Sequence, residues 1–500
     1  MKRITILALY ICLITQVAYS QVNGKIGSPE KPNILFVLVD DLGWADIGAF
    51  GSEFYDTPNI DKLAEDGMMF TDAYAASPVC SPTRASIMTG KNPARTNTTD
   101  WFGAPQPSPD FTFPGWMQSR VGNKPTSLMP AAYQEYMSLD EVTIAEALKE
   151  GGYTTFFAGK WHLGHQEKYW PEHQGFDINK GGYFKGAPNT NGSAEGYFSP
   201  YGNPRLEDGP TGEYLPYRLA EETIGFMEEH KEDPFLAYLS FYSVHTPLMT
   251  TDQLQKKYQE KKEDNGIEAK FGTIDQNKPV RLNQTNPVYA GMVEAMDQAI
   301  GRVLNSLEEQ GLSSNTVVIF MSDNGGLSTI AQAPTSNKPL KAGKGWLYEG
   351  GIREPMIIKW PGVTKPGSKS KTPVTSTDFY PTMLEMAGLP LRPDQHKDGK
   401  SLAPILKGEQ LKERDRFWHY PHYAPQGGFP GSVIRSGEWK LIHNYEDDTL
   451  ELYNLESDIG EEHNLVQQHP ERAIELYQKL EQWRKDVDAS SPVPNPEYKK

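Results

Sequence analysis

The apolar positions of this chain gather in short unbroken runs, of which residues 33–39 (Asn-Ile-Leu-Phe-Val-Leu-Val) are the clearest. A continuous, β-branched run of that length suits a parallel strand covered on both faces. Runs at 153–158, 235–242 and 316–321 predict three more such strands. Between them the periodicity lengthens to the helical one. Helices are expected at 57–68, with Thr57 as cap and Pro58 in the first turn, and at 142–150, 217–231, 289–310 and 377–387. Strands alternating with helices predict an α/β domain with a large, mostly parallel central sheet flanked by helices.

After residue 406 the pattern changes. Short runs at 432–435, 439–443 and 450–453, punctuated by Gly437 and Glu446-Asp447-Asp448, predict an antiparallel meander. A closing helix is expected at 470–487, before a Pro-rich tail. The expected organisation is a leader at 1–20, the α/β domain at 21–405, and a smaller α+β subdomain with an antiparallel sheet at 406–500. Two long irregular stretches, 97–137 and 180–216, are rich in Gly, Pro and aromatic residues. Loops of that length inside a compact domain usually carry function.

The leader reads as a secretory signal. Lys2 and Arg3 precede an apolar stretch and the small-x-small site Ala18-Tyr19-Ser20. The apolar stretch is short for a membrane span, and no later segment reads as one. A secreted or periplasmic chain is therefore expected. Its formal net charge of -16 argues against a nucleic-acid partner. A local basic pocket for an anion remains compatible with that balance. Of the two cysteines, Cys12 falls in the leader, which leaves Cys80 alone. A lone cysteine in a secreted chain is either a small buried apolar residue or one kept for its chemistry.

Chemistry-bearing residues follow all four predicted parallel strands. Asp40 and Asp41 follow the first, Lys160 and His162 the second, His245 the third, and Asp323 and Asn324 the fourth. Any one of them alone reads as a turn or cap residue. Ligand sites of open α/β sheets lie outside the carboxyl ends of the strands, so the seven are expected to converge. Cys80-Ser-Pro-Thr-Arg84 opens a further expected helix, with Pro82 in its first turn. Cys80 then sits at a helix N-terminus, which attracts anions, and Arg84 lies one turn away on the same face. That combination suits an oxyanion substrate, and a nucleophilic thiolate is one chemistry it allows.

Cys80-x-Pro-x-Arg84 with Thr89-Gly90 also resembles the signature of the type I, formylglycine-dependent sulfatases of the alkaline phosphatase superfamily. The resemblance continues through residues 33–43, Gly159-Lys-Trp-His-Leu-Gly164, Ser322-Asp-Asn-Gly325 and Gly343-Lys-Gly345. It extends to residues 348–355 and Leu452-Tyr-Asn-Leu455. It implies an alkaline phosphatase-like fold and oxidation of Cys80 by a maturation enzyme to formylglycine. One hydroxyl of the aldehyde hydrate would attack sulfur, and the other would collapse to expel sulfate. It also implies one calcium ion held by Asp40, Asp41, Asp323, Asn324 and modified Cys80, an oxygen-rich set suited to a hard cation. Arg84, Lys160 and Lys344 would neutralise the sulfuryl oxygens. His245 would protonate the leaving alcohol, and His162 would take a proton during sulfate release.

Residues 160–186 most resemble bacterial polysaccharide sulfatases. The implied substrate is a sulfated saccharide, with a lean toward galactose or N-acetylgalactosamine sulfated at O4. Trp101, His165, His173, Arg218 and His422 are candidate substrate residues, and Trp170 and Tyr183 candidate stacking platforms. Each also reads as surface or packing. Two other functions compete: a phosphomonoester or phosphonate hydrolase of the same superfamily, and an inactive sulfated-glycan-binding protein. The sequence leaves the oligomeric state open.

Overall fold

Residues 33–39 form strand β1 (Asn33–Val39), buried along its whole length. Its side chains alternate between two cores. Leu35, Val37 and Val39 pack with Leu219, Phe226, Met292 and Met296. Ile34, Phe36 and Leu38 pack with Ile87, Leu148 and Leu384 on the opposite face. Burial on both sides explains why the run has no polar alternation. The computed structural model describes residues 31–107, 126–274 and 278–498, so the leader expected at 1–20 lies outside the described residues.

The central sheet continues with β2 (Met68–Tyr74), β3 (Thr154–Gly159), β4 (Ile178–Lys180), β5 (Phe235–Ser240) and β6 (Thr316–Ser322). It is completed by β7 (Arg353–Lys359), β8 (Ser368–Ser370) and β9 (Val374–Thr375). Their order is β8-β2-β7-β6-β1-β5-β3-β4, with β9 beside β2. Neighbours run parallel except at β7, which is antiparallel to both β2 and β6. Helices α1 (Pro58–Asp66), α4 (Leu215–Glu229), α5 (Asp252–Asp264) and α6 (Pro287–Glu309) contribute to the first core. Helices α2 (Cys80–Thr89), α3 (Ile144–Glu150) and α7 (Phe379–Met386) contribute to the second.

Three local expectations change. The first helix stops at Asp66: Gly67 turns to extended backbone, passing so near the Ile358 carbonyl oxygen that a Cβ would meet it at 2.8 Å, and Met68 opens β2. The Thr57 hydroxyl does not cap that helix; it accepts from the Gly48 N–H and donates to Asp61. Strand β7 was not anticipated, since Pro355 argues against an interior strand; it is accommodated where the register shifts between Glu354 and Met356.

The C-terminal sheet is an antiparallel meander of β10 (Arg416–Tyr420), β11 (Gly431–Ser436), β12 (Trp439–Asn444) and β13 (Thr449–Asn454). Helix α8 (Pro470–Asp486) covers one face through Leu476 and Leu480. The other face, with Val433 and Ile442, packs against Trp346 and Tyr348. A buried ion network crosses the same seam. Lys440 lies 2.9 Å from Glu349 and 2.8 Å from Glu461, and Asp72 binds Arg353 at 2.6 Å and Arg435 at 2.8 Å. Charges so buried persist only when paired.

Candidate active site

The parallel strands β1, β3, β5 and β6 end together, and the residues after them form one cage. Asp40 and Asp41 leave β1, Lys160 and His162 follow β3, and Asp323 and Asn324 follow β6. Asp41 and His162 take left-handed backbone angles (φ 61° and 59°). Such conformations are uncommon outside glycine and concentrate at functional sites. Cys80 is the first residue of α2 and is buried with the whole helix.

Three ion pairs tie the cage together. Lys160 Nζ lies 2.6 Å from Asp40 Oδ2. Arg84 Nη2 lies 2.7 Å from Asp323 Oδ2, while its Nη1 donates to the Lys160 carbonyl and to Ser240 Oγ, both at 2.7 Å. Lys344 Nζ lies 2.6 Å from Asp41 Oδ1. Burial alone would raise the Asp41 carboxyl, but Lys344, His245 and Lys160 hold it well below the usual carboxylate range. Asp40 moves the other way, pushed up by burial and by neighbouring Asp323. Burial also pushes the Cys80 thiol up to about 11, against the pull of Lys160 and Lys344. The thiolate chemistry the sequence allows is thus opposed by burial and favoured by the two lysines.

Main-chain carbonyls orient both histidines. His162 Nε2 lies 2.9 Å from the Phe102 carbonyl, and His245 Nδ1 lies 2.7 Å from the Thr246 carbonyl. A carbonyl only accepts, so these ring nitrogens carry the protons. The neutral His162 ring is left with a bare Nδ1, buried and unpartnered. His245 Nε2 faces Asp41 Oδ2 at 3.8 Å. Burial and Lys160 hold His162 well below the ordinary imidazole range, and burial and Lys344 bring His245 down to about 3.

The donor set fits a hard cation. Asp40 Oδ1 and Asn324 Oδ1 are buried without a hydrogen-bond partner, the state a bound ion would relieve. Asn324 Nδ2 donates to Asp41 Oδ1 at 2.8 Å and to the Gly325 carbonyl, which fixes the amide so that its oxygen is the atom presented. Among the described residues, the ligating atoms of Asp40, Cys80 and Asp323 lie within 4.8 Å of one another, as do those of Asp41, Cys80 and His245. Oxygen donors of this kind suit calcium.

Cys80, His162, His245 and Lys344 open into a cavity of about 410 Å³, walled by Trp101, Phe102, Phe184 and Ile330. Of the candidate substrate residues, Trp101 and His165 line it. The others lie elsewhere. His173 sits in a short 3-10 turn on the surface. Arg218 is held on α4 by Glu213 at 3.2 Å and Glu222 at 2.7 Å. His422 is buried between Tyr133 and Tyr420, and its Nε2 lies 2.8 Å from Thr99 Oγ1. Trp170 packs edge-on against Tyr183 beneath the Arg205 guanidinium. Lys185 and Gln426, which sequence reasoning did not single out, line the cavity. So does Phe102, whose carbonyl contact with His162 leaves no trace in a residue pattern.

Comparison with known proteins agrees with this geometry. Residues 32–389 match the family described as Sulfatase, and residues 342–486 match "N-sulphoglucosamine sulphohydrolase, C-terminal". A sulfatase of Formosa agariphila is 33% identical, over 97% of this chain and 94% of that protein. The N-acetylgalactosamine-6-sulfatase of Canis lupus familiaris is 32% identical over 79% of this chain and 70% of its own length. The solved structure of Ps i-CgsB in complex with k-i-k-neocarrahexaose superposes with a TM-score of 0.72 at 28% identity, covering 94% of this chain and 95% of that one. With the family matched across the whole α/β domain and its signature cysteine inside the cation-lined cage, the chain belongs to the type I sulfatases and is a sulfuric ester hydrolase.

Proposed function

We propose that the enzyme removes sulfate from a saccharide, after conversion of Cys80 to formylglycine by a maturation enzyme in a secreted or periplasmic setting. The observation that carries this reading is the position of Cys80, a buried side chain ringed by Arg84, Lys160 and Lys344 at a cavity that has aromatic walls. The thiol stands where the oxygens of the aldehyde hydrate would lie, and the hydrate would supply the attacking hydroxyl. Asp40, Asp41, Asp323 and Asn324 would hold calcium, whose charge would stabilise the sulfuryl oxygens when bound.

The chain's own side chains divide the remaining work. Arg84, Lys160 and Lys344 bind and orient the sulfuryl oxygens and stabilise charge that grows toward the transition state. His245 Nε2 protonates the departing sugar oxygen, and the negative ester raises its basicity on binding. His162 Nδ1 accepts a proton during sulfate release. The candidate metal-ligating groups both share Cys80 among the described residues, which supports one cation rather than a two-zinc phosphatase centre.

The aromatic walls, with Trp101 and Phe184, support a sugar in the cavity. The proposed sugar is galactose or N-acetylgalactosamine sulfated at O4. Sulfate at O6 is the competing position, favoured by the relatives named N-acetylgalactosamine-6-sulfatase. Mass spectrometry of the Cys80 peptide, paired with sulfate release from saccharides sulfated at O4 or O6, tests the reading. Full turnover by protein whose Cys80 is an unmodified thiol would sink it, as would a preference for phosphate esters.

A further inference from the structure

The cations of the catalytic cage are each matched by a carboxylate: Arg84 by Asp323, Lys160 by Asp40, and Lys344 by Asp41. Lys185 lines the same cavity and differs from them. Its ammonium donates to Asn189 Oδ1, a neutral amide oxygen. That amide is fixed, because Asn189 Nδ2 donates to the Gly202 carbonyl at 2.9 Å and Oδ1 also accepts from the Asn191 N–H at 3.1 Å. An ammonium has three N–H donors, so Lys185 keeps donors for a ligand. Partial burial lowers its pKa, as expected of a cation held against neutral surroundings.

The position of Lys185 relative to the chemistry is also set. The next residue, Gly186, lies against the His162 ring, where a Cβ would come within 2.4 Å of Cε1. Only glycine permits that approach, so the 185–186 backbone is seated on the catalytic histidine. Phe184, on the other side, lines the cavity and packs 5.6 Å from the His165 ring. Lys185 is thus held on the wall of the cavity into which Cys80 opens, and its ammonium pairs with an amide rather than with a carboxylate of the cage.

We propose that Lys185 is a specificity-determining residue that binds a second anionic group of the saccharide, a sulfate or a carboxylate near the ester being cleaved. This rests on the saccharide-sulfatase reading and deepens it: the preferred substrate carries more than one negative charge. A multiply charged sugar gains an ion pair, whereas a singly sulfated one leaves Lys185 with its amide partner alone.

The test uses the full chain in two forms. In a Cys80→Ser background, which removes turnover, calorimetry measures binding of N-acetylgalactosamine 4-sulfate, N-acetylgalactosamine 4,6-disulfate, and the 4-sulfate linked to a glucuronate. The disulfate and the glucuronate conjugate separate the two sources of the second anion. The expected result is that one of the two binds at least roughly tenfold more tightly than the monosulfate, and that Lys185→Met brings the ratio close to one while Lys185→Arg preserves it. In the formylglycine enzyme, the same ratio is expected in KM rather than kcat. Equal affinity for all three ligands, or a ratio that survives Lys185→Met, overturns the proposal. Wild-type enzyme that carries formylglycine but cleaves no sulfate ester would instead overturn the saccharide-sulfatase reading, which the binding measurement keeps separate.

Discussion

Lys160 and Asp40 form an ion pair at 2.6 Å with neither side chain exposed. The pairs Arg84–Asp323 and Lys344–Asp41 repeat the arrangement, so three cations balance three carboxylates around Cys80. A divalent cation added alone leaves the buried cage with excess positive charge. A sulfate dianion added alone leaves it negative. Together they cancel.

Calcium and sulfate are therefore expected to bind cooperatively. Saturating sulfate should tighten calcium affinity by about 5–150-fold, and calcium should tighten sulfate by the same factor. Calorimetric titration of each in the presence of the other checks this. Calcium affinity indifferent to sulfate would remove the charge-balance account.

Cys80→Ala should abolish turnover while leaving the thermal midpoint within a few degrees of the parent. The deletion removes one small buried group at the edge of a cavity, which costs far less than emptying a packed core. A large fall in the midpoint would show that Cys80 is chiefly a core residue.

The histidines should separate by leaving group. His245→Ala is expected to slow a saccharide sulfate by about 10²–10⁴-fold and a nitrophenyl sulfate much less, because a nitrophenolate leaves without a proton. His162→Ala should slow both. Equal losses on both substrates for His245→Ala would remove it as the acid.

At the seam between the sheets, Glu349 and Glu461 share Lys440 but should not cost the same. Burial works against ionised Glu349, yet Lys440, Arg353 and Arg435 overcome it and hold the carboxyl low. Burial dominates at Glu461 and raises its carboxyl. Glu349→Gln strips counter-charge from three buried cations and should cost about 3–5 kcal/mol; Glu461→Gln should cost clearly less. Denaturant unfolding of both variants measures the difference, and equal costs would refute the assignment.

Asp100 offers a pH test. Burial raises its carboxyl to about 8, although the Trp101 N–H and the Tyr420 hydroxyl donate to it. His422 Nδ1 lies 3.7 Å away and is itself held neutral by burial. A raised folded-state pKa favours the fold fully below the unfolded value and loses that contribution as pH rises through the folded one. The wild type should thus lose stability relative to Asp100→Asn between about pH 4 and about pH 8 and level off above it. Parallel melting curves across that range would contradict the shift.

The residues at the ends of β1, β3, β5 and β6 were legible because strands buried on both faces announce themselves as apolar runs, and the next residue is then placed by topology. Strand β7 was illegible for the opposite reason. Its Pro355 sits at a register shift that only the paired strands reveal. His422 follows the strand β10, whose place in the meander buries it rather than delivering it to the cavity. Lys185 and Gln426 reach the cavity through loop geometry that no period encodes. Arg218 shows the converse: a cation after a long loop is claimed by its helical neighbour Glu222.

The carbonyls of Phe102 and Thr246 hold the two histidines by main-chain atoms. A main-chain acceptor is indifferent to the side chain it carries. The proton inventory of the reaction is therefore insulated from substitutions along the sugar-facing wall at Trp101, Lys185 and Gln426. Those positions can drift toward a different glycan while the two histidines keep their tautomers, so a scaffold of this kind can change its diet without disturbing the rings at its cage.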